Sequence, residues 1–200
     1  MSMRSGLAPA PGGLRFVQDL VNTSLAVSSA RPDLLAGLGT ARAWLTEALG
    51  EWSAAAGWPA PAIELDESDL PALRDHRELL RGSLRAAPGT PATPGAPDTL
   101  ATAPGPSREI TAKVLLSVTA DGDVRYEPLE PGWRAVRALT SAETLLARAA
   151  GTWPRLKTCA YRPCGACFYD SSPNRARVWH DTKLCGNIIN LRASRARKRA

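Results

Sequence analysis

Four cysteines and one histidine near the C-terminus carry the chemistry of this 200-residue chain: Cys159, Cys164, Cys167, His180 and Cys185. Four residues separate Cys159 from Cys164, fifteen separate Cys164 from His180, and four separate His180 from Cys185. Two close pairs of soft ligands joined by a hairpin-sized spacer suit a tetrahedral structural zinc. Each pair closes a tight loop around the ion, and the spacer lets the pairs meet. The surrounding fifty residues hold few large apolar side chains, so a metal has to supply what a small core cannot. Spacing also offers Cys164-x-x-Cys167 as a pair, the commoner knuckle length. The residues alone therefore point to a zinc site and leave its fourth ligand open.

The elements around these residues follow from pattern. Phe168-Tyr169-Asp170 reads as a strand, Ser171-Ser172-Pro173-Asn174 as a turn and Val178-Trp179 as the return strand. Beyond Cys185, Ile188 and Leu191 are placed to pack back on the module. Arg192, Arg195 and Arg199 fall at i, i+3 and i+7 of an exposed helix, flanked by Arg197 and Lys198. Residues 151–200 hold eleven basic residues against two acidic ones, net +9, whereas residues 1–150 carry net −3. A mildly acidic body with a strongly basic tail is the electrostatic footprint of a polyanion-binding module. With no acceptor-rich side chain dominating the tail, phosphate contact is better supported than base readout.

Upstream, residues 1–13 read as a flexible leader. From Leu14 a helical period places Val17, Leu20, Val21 and Leu25 on one face. Pro32-Asp33 opens a second helix with the stripe Leu34, Leu38, Ala41, Leu45 and Leu49, and Gly57-Trp58-Pro59 lies beyond its end. Ser68 or Asp69 caps a third helix bearing Leu73, Arg77, Leu80 and Leu84, with Pro71 tolerated in its first turn. Residues 86–107 form a Pro/Gly-rich insertion with too little apolar area to offset its ordering entropy. Val114, Leu116 and Val118 alternate up to the Asp121-Gly122 turn, and Val124 and Tyr126 return, which makes a β-hairpin. A last body helix faces Val136, Leu139, Leu145, Leu146 and Ala149 inward and ends at Gly151. The fold class is mainly α with a small β-hairpin: an α-rich domain over 14–152, then a zinc module over 153–200.

Little in the chain points to catalysis. His76 is the only histidine outside the cluster, and it stands between Leu73 and Leu80 as a structural residue. Gly37-Leu38-Gly39 lacks the third glycine and preceding strand of a dinucleotide motif, and neither a Walker loop nor a nucleophile elbow is present. Asp170 and Asp181 are the only carboxylates within the finger, poor provision for a catalytic zinc. The expectation is a protein without enzymatic activity. Clustered cysteines without a signal-peptide pattern point to a reducing cytoplasm, no stretch reaches membrane-span length, and the Ala/Pro/Gly/Arg-rich composition suggests a bacterial source.

The C-terminal segment resembles the CGNR zinc-finger family, carried here by Cys159, Cys164, Phe168-Tyr169-Asp170, Ser172, Asn174-Arg175, Trp179-His180 and Cys185-Gly186-Asn187. His180 stands where that family has a third cysteine, and Ile188 stands where it has the arginine of the name-giving motif. The resemblance implies a treble-clef-like module with one structural Zn2+ held by Cys159, Cys164, His180 and Cys185. Cys167 then falls on an ordinary apolar position. The segment Phe16-Val17-Gln18-Asp19-Leu20-Val21-Asn22-Thr23 resembles the opening of the ABATE domain, with Arg77 as a weaker match to an arginine of its Leu-Arg-x-x-Arg helix. That pairing implies a stress- or ligand-responsive transcriptional regulator. Its implied partners are duplex DNA, a small-molecule effector of the N-terminal domain and a second copy of itself. The DNA contacts expected are Arg175, Arg177, Arg192, Arg195, Arg197, Lys198 and Arg199. The reading from another class is an RNA- or protein-binding adaptor whose zinc module is purely structural.

Overall fold

The structure is a computed structural model and describes residues 7–24, 32–85, 109–161 and 163–197. The helical period that opens at Leu14 forms α1, Leu14–Val21. Eight residues hold no stable helix in water, so packing must supply what propensity does not. Phe16, Val17, Leu20 and Val21 are all at most 1% exposed, and Phe16 stacks on Trp44 with ring centroids 6.1 Å apart. Around α1 lie α2 (Leu38–Ala56), α3 (Asp69–Arg85) and α4 (Trp133–Ala149), each in contact with it. The apolar face of α1 is thereby the centre of the body core, while Arg15 and Asp19 pair on its other side. Leu25 lies outside the described residues.

Of the leader expected over residues 1–13, residues 7–13 are described, and Ala10 anchors them to α1. Ala10 is buried and its N–H donates to Gln18 Oε1 at 2.6 Å, while Gln18 Nε2 donates to the Ala8 carbonyl. Gln18 is itself buried, and a buried amide needs partners, which the leader's backbone provides. α2 opens at Leu38 with Gly37 as its cap, rather than at Pro32-Asp33. The Asp33 carboxylate is otherwise engaged: it accepts from the Leu35 N–H and from Arg77 Nη1, which makes a turn instead of a helix start. α2 ends where Gly57 adopts the left-handed conformation, φ +79°.

β1 (Val114–Val118) and β2 (Val124–Pro128) form the expected antiparallel hairpin, with Leu116 opposite Tyr126. Leu115, Leu116, Val118 and Val124 remain exposed, and the residue that reaches the core is Tyr126, edge-on to Trp52 and Trp58. On α4 the inward face differs from expectation as well. Val136, Leu139, Thr140, Glu143 and Ala147 are buried, whereas Leu145 and Leu146 are 68% and 49% exposed and Ala149 is exposed. The buried carboxylate turns the face. Glu143 Oε1 accepts from the Trp52 indole N–H at 2.5 Å and from the Tyr126 hydroxyl, and it lies so close over Gly13 that any Cβ there would collide with it.

His76 is also buried, and its Nε2 lies 2.8 Å from Thr140 Oγ1. That hydroxyl donates to the Val136 carbonyl, so the histidine donates to it through Nε2–H. Burial pushes the imidazole down to about 4, with the nearby Arg137 charge adding to the effect. Above the ordinary value of about 6.5 both folded and unfolded histidine are neutral and no penalty arises. As pH falls from 6.5 toward 4 only the unfolded chain takes up the proton, so up to about 3 kcal/mol of stability is lost. Urea melts of wild type and His76→Gln between pH 7 and pH 5 should therefore converge by about 2 kcal/mol. A constant gap would show that His76 titrates alike in both states.

Candidate metal centre

After a single 3-10 turn at Trp153–Arg155, β3 (Leu156–Thr158) pairs antiparallel with β4 (Cys167–Tyr169), Lys157 opposite Phe168 and Thr158 opposite Cys167. The strand partner of Phe168-Tyr169 is thus β3, not Val178-Trp179 as expected. The eight residues between the strands close so tightly that β3 is already in register. The Cys159 N–H donates to the Ala166 carbonyl at 2.8 Å, and the Cys164 N–H to the Tyr161 carbonyl at 2.8 Å. Val178 instead receives one hydrogen bond on its carbonyl, from the Ala160 N–H.

This knuckle carries the first ligand pair and a wide turn at Thr182–Gly186 carries the last ligand. Asp181 caps that turn, its side chain accepting from the Leu184 N–H at 2.9 Å. Gly186 follows Cys185 where space is short, since a Cβ there would stand 3.1 Å from Trp179 Cε3. Helix α5, Asn187–Arg197, continues from it. Knuckle hairpin, spacer and ligand-bearing helix start make the treble-clef-like order.

Donor atoms of Cys159, Cys164, His180 and Cys185 all lie within 4.8 Å of one another. His180 Nδ1 faces Cys164 Sγ at 3.3 Å and Cys185 Sγ at 3.6 Å. A zinc tetrahedron with Zn–S near 2.3 Å and Zn–N near 2.0 Å has edges of about 3.5–3.8 Å, so the four donors fit that ion. Hydrogen bonding from Cys164, with help from His180, holds the Cys159 thiol well below the usual thiol range, and giving up that hydrogen bond to Cys159 pushes Cys164 up. Burial, with the Cys159 charge beside it, raises Cys185 to about 11. A cation entering this nest would expel the remaining thiol protons. Leu7, Tyr161 and Trp179 pack on its apolar side, which makes Trp179 part of the finger's own core.

Cys167 is elsewhere. It is fully buried in the body core, where burial pushes its thiol up. Its backbone is the seam between finger and body: the Cys167 N–H donates to Asn22 Oδ1 and its carbonyl accepts from Asn22 Nδ2, both at 2.8 Å. Arg81, buried on α3, donates from Nη1 to the Gly165 carbonyl at 2.7 Å and from Nη2 to the Val21 and Ser24 carbonyls. Asn22, Gln18 and Thr23 thus gain roles that sequence reading left unassigned. Arg77 is a structural neighbour, bonded to Thr23 Oγ1 and Asp33.

The arginines expected at DNA divide three ways. Arg175 and Arg177 lie in the exposed loop between β4 and His180. Arg177 is partly committed, stacked 5.4 Å over Phe168 and donating to the His180 carbonyl at 2.7 Å. Arg195 is exposed on α5, and Arg192 and Arg197 lie on the same helix, while Lys198 and Arg199 lie outside the described residues. Among the described side chains of α5, Ile189 is buried; Ile188 and Leu191, expected to pack inward, are 37% and 57% exposed. One helical step explains it, because α5 begins directly from the Thr182–Gly186 turn and that turn sets its rotation.

Sequence reading did not foresee Lys157 and Asp170. Asp170 is fully buried and accepts from Lys157 Nζ at 2.8 Å, from the Arg177 N–H, and from the Ser172 N–H and hydroxyl. These bonds outweigh its burial and hold its carboxyl down to about 2. The spacing Asp-x-Ser was a legible turn signal; the lysine was not, because strand register alone brings it there.

Among the described residues no helix is long and apolar enough to cross a membrane. No curated protein matches the chain. Residues 155–198, which take in all four clustered donors, the arginine loop and α5, match the model of the CGNR zinc finger family, so the chain carries a zinc finger domain of that kind at its C-terminal end.

Proposed function

We propose that the protein is a DNA-binding transcriptional regulator, its zinc held by Cys159, Cys164, His180 and Cys185, and that the finger grips duplex DNA through phosphates. The observation that carries this reading is charge placed on a metal-stapled frame: net +9 over residues 151–200 against −3 in the rest. Arg175 and Arg195 are exposed on it. Each phosphate neutralised releases counterions, and cations held at fixed spacing lose less conformational freedom on meeting the duplex than a floppy basic tail does. The zinc supplies folding energy and no chemistry beyond that. In this reading the body is an ABATE-type responsive module. A cavity of about 410 Å³ lined by Trp52, Trp58, Tyr126, Ile63 and Arg125 is where a small effector would bind. A reducing bacterial cytoplasm would keep the four thiols available for metal.

One observation favours a protein-binding adaptor instead. Leu184 in the Thr182–Gly186 turn and Ile188 and Leu191 on α5 are exposed apolar side chains, which a protein partner would cover. Deleting residues 191–200 separates the readings. It removes Arg192, Arg195, Arg197, Lys198 and Arg199, so binding to every duplex should weaken alike and the salt slope should fall by up to about 4.5. A truncated protein with unchanged affinity and slope would make the tail a bystander and leave the adaptor reading in place.

A further inference from the structure

We propose that Lys157 and Asp170 are positioning residues for nucleic-acid binding, a buried ion pair that holds the loop over residues 171–177 in the shape that presents Arg175 to a phosphate. This rests on the reading of the finger as a duplex-DNA contact. The starting point is a backbone outlier. Among the described residues Arg175 is the non-glycine residue with positive φ, +55°. L-residues other than glycine and asparagine adopt that region at a cost. A loop that had only to turn would be cheapest with glycine there, or with the asparagine that stands one residue earlier.

The strained residue is held from below. Lys157 Nζ donates to the Arg175 carbonyl at 2.5 Å and to the Arg177 carbonyl at 3.2 Å, while its third bond goes to Asp170. An ammonium has three donors, and this one uses all of them on the loop and its anchor. Asp170 closes the other end, accepting from Ser172 at the loop's start and from the Arg177 N–H at its finish. Both loop carbonyls are thereby drawn inward to the lysine. Arg177 is tied across Phe168 to the His180 carbonyl, which joins the loop to a residue of the metal cluster. Arg175 is left exposed. Among the described residues the Arg175 guanidinium makes no hydrogen bond, ion pair or ring contact, which leaves its fork available to a polyanion. Phosphate recognition by arginine depends on where the planar fork is aimed, so a fixed loop improves on a mobile one.

The test is anisotropy of a short labelled random duplex titrated with zinc-loaded full-length protein across a salt series, with melting temperature and zinc content measured alongside. Arg175→Gly should melt at or above wild type, because glycine relieves the left-handed strain. It should nonetheless bind several-fold more weakly, with a salt slope smaller by about one. Asp170→Asn should keep one zinc, weaken binding and lower the slope in the same direction. The double variant should bind no more weakly than Arg175→Gly alone, since both act on one contact. Should Asp170→Asn fail to fold, Lys157→Met with Asp170→Asn removes both charges and leaves neither buried unpaired; the same loss is expected of it. A purely structural ion pair would lower the melting temperature, leave the salt slope unchanged and add to the effect of Arg175→Gly, and that result overturns the proposal. If wild type binds duplex and Arg175→Gly binds equally well, the proposal falls while the DNA reading stands. If wild type does not bind duplex at all, the reading falls and takes the proposal with it.

Discussion

Cys159→Ser is expected to strip zinc from the finger and unfold it, whereas Cys167→Ser is expected to keep one zinc per chain. The two thiols are both buried and lie eight residues apart in sequence, yet they stand in different environments. Cys159 belongs to the donor cluster with Cys164, His180 and Cys185. Removing one ligand from a structural zinc site forfeits much of a binding energy on the order of 10 kcal/mol, far above what the small apolar cluster around it contributes. Cys167 packs in the body core and offers its backbone, not its sulfur, to Asn22. A serine there places a hydroxyl among apolar groups and should cost about 1–2 kcal/mol. Metal analysis of the two purified variants decides the matter. Zinc lost from Cys167→Ser and retained by Cys159→Ser would reverse the ligand set.

Arg81→Ala should destabilise the whole chain by about 3–4 kcal/mol and loosen the zinc as well. Arg81 is buried, and its guanidinium satisfies three carbonyls from two separate places in the chain, Val21 and Ser24 at and just beyond the end of α1 and Gly165 in the knuckle. Truncation leaves those acceptors without their donor in a desolvated seam, and each costs on the order of 1 kcal/mol or more. Because Gly165 directly follows Cys164, release of the knuckle should also quicken zinc loss to a chelator. Arg81→Lys, a single point donor, should recover only part of either effect. Faster zinc loss with unchanged urea stability would place the residue in the finger alone. Unchanged zinc loss with a large stability deficit would show that the seam does not reach the metal.

How far sequence reached depended on the range of the interactions concerned. A zinc site was legible because close ligand spacing is local, but spacing left Cys159 and Cys167 as rivals, and the family resemblance, not spacing, gave the set Cys159, Cys164, His180 and Cys185 that clusters here; the hairpin around Asp121-Gly122 was legible because turn chemistry is local too. The inner face of α4 was not. Leu145 and Leu146 are more apolar than Glu143, and only a tryptophan 91 residues away and the nearby tyrosine make the carboxylate the buried member. The start of α2 was misplaced for a similar reason, since Asp33 is held by Arg77 from another helix. Strand pairing within the finger failed on register: alternation marks a strand without naming its partner, and the tight knuckle gave β4 to β3. Asn22 and Arg81 were out of reach for the same reason, as their roles exist only once finger and body are docked.

We propose that a zinc-stapled basic finger, docked on the body, contacts duplex DNA. The most direct test is a mobility-shift titration of full-length protein against random duplex, run zinc-loaded and again after chelation. Zinc-loaded protein should shift the duplex with a steep salt dependence, and chelated protein should bind markedly more weakly at the same salt, because the loop bearing Arg175 and the start of α5 lose their frame. Zinc-loaded protein that leaves duplex unshifted at low salt, or binding that is the same with and without metal, would contradict the account.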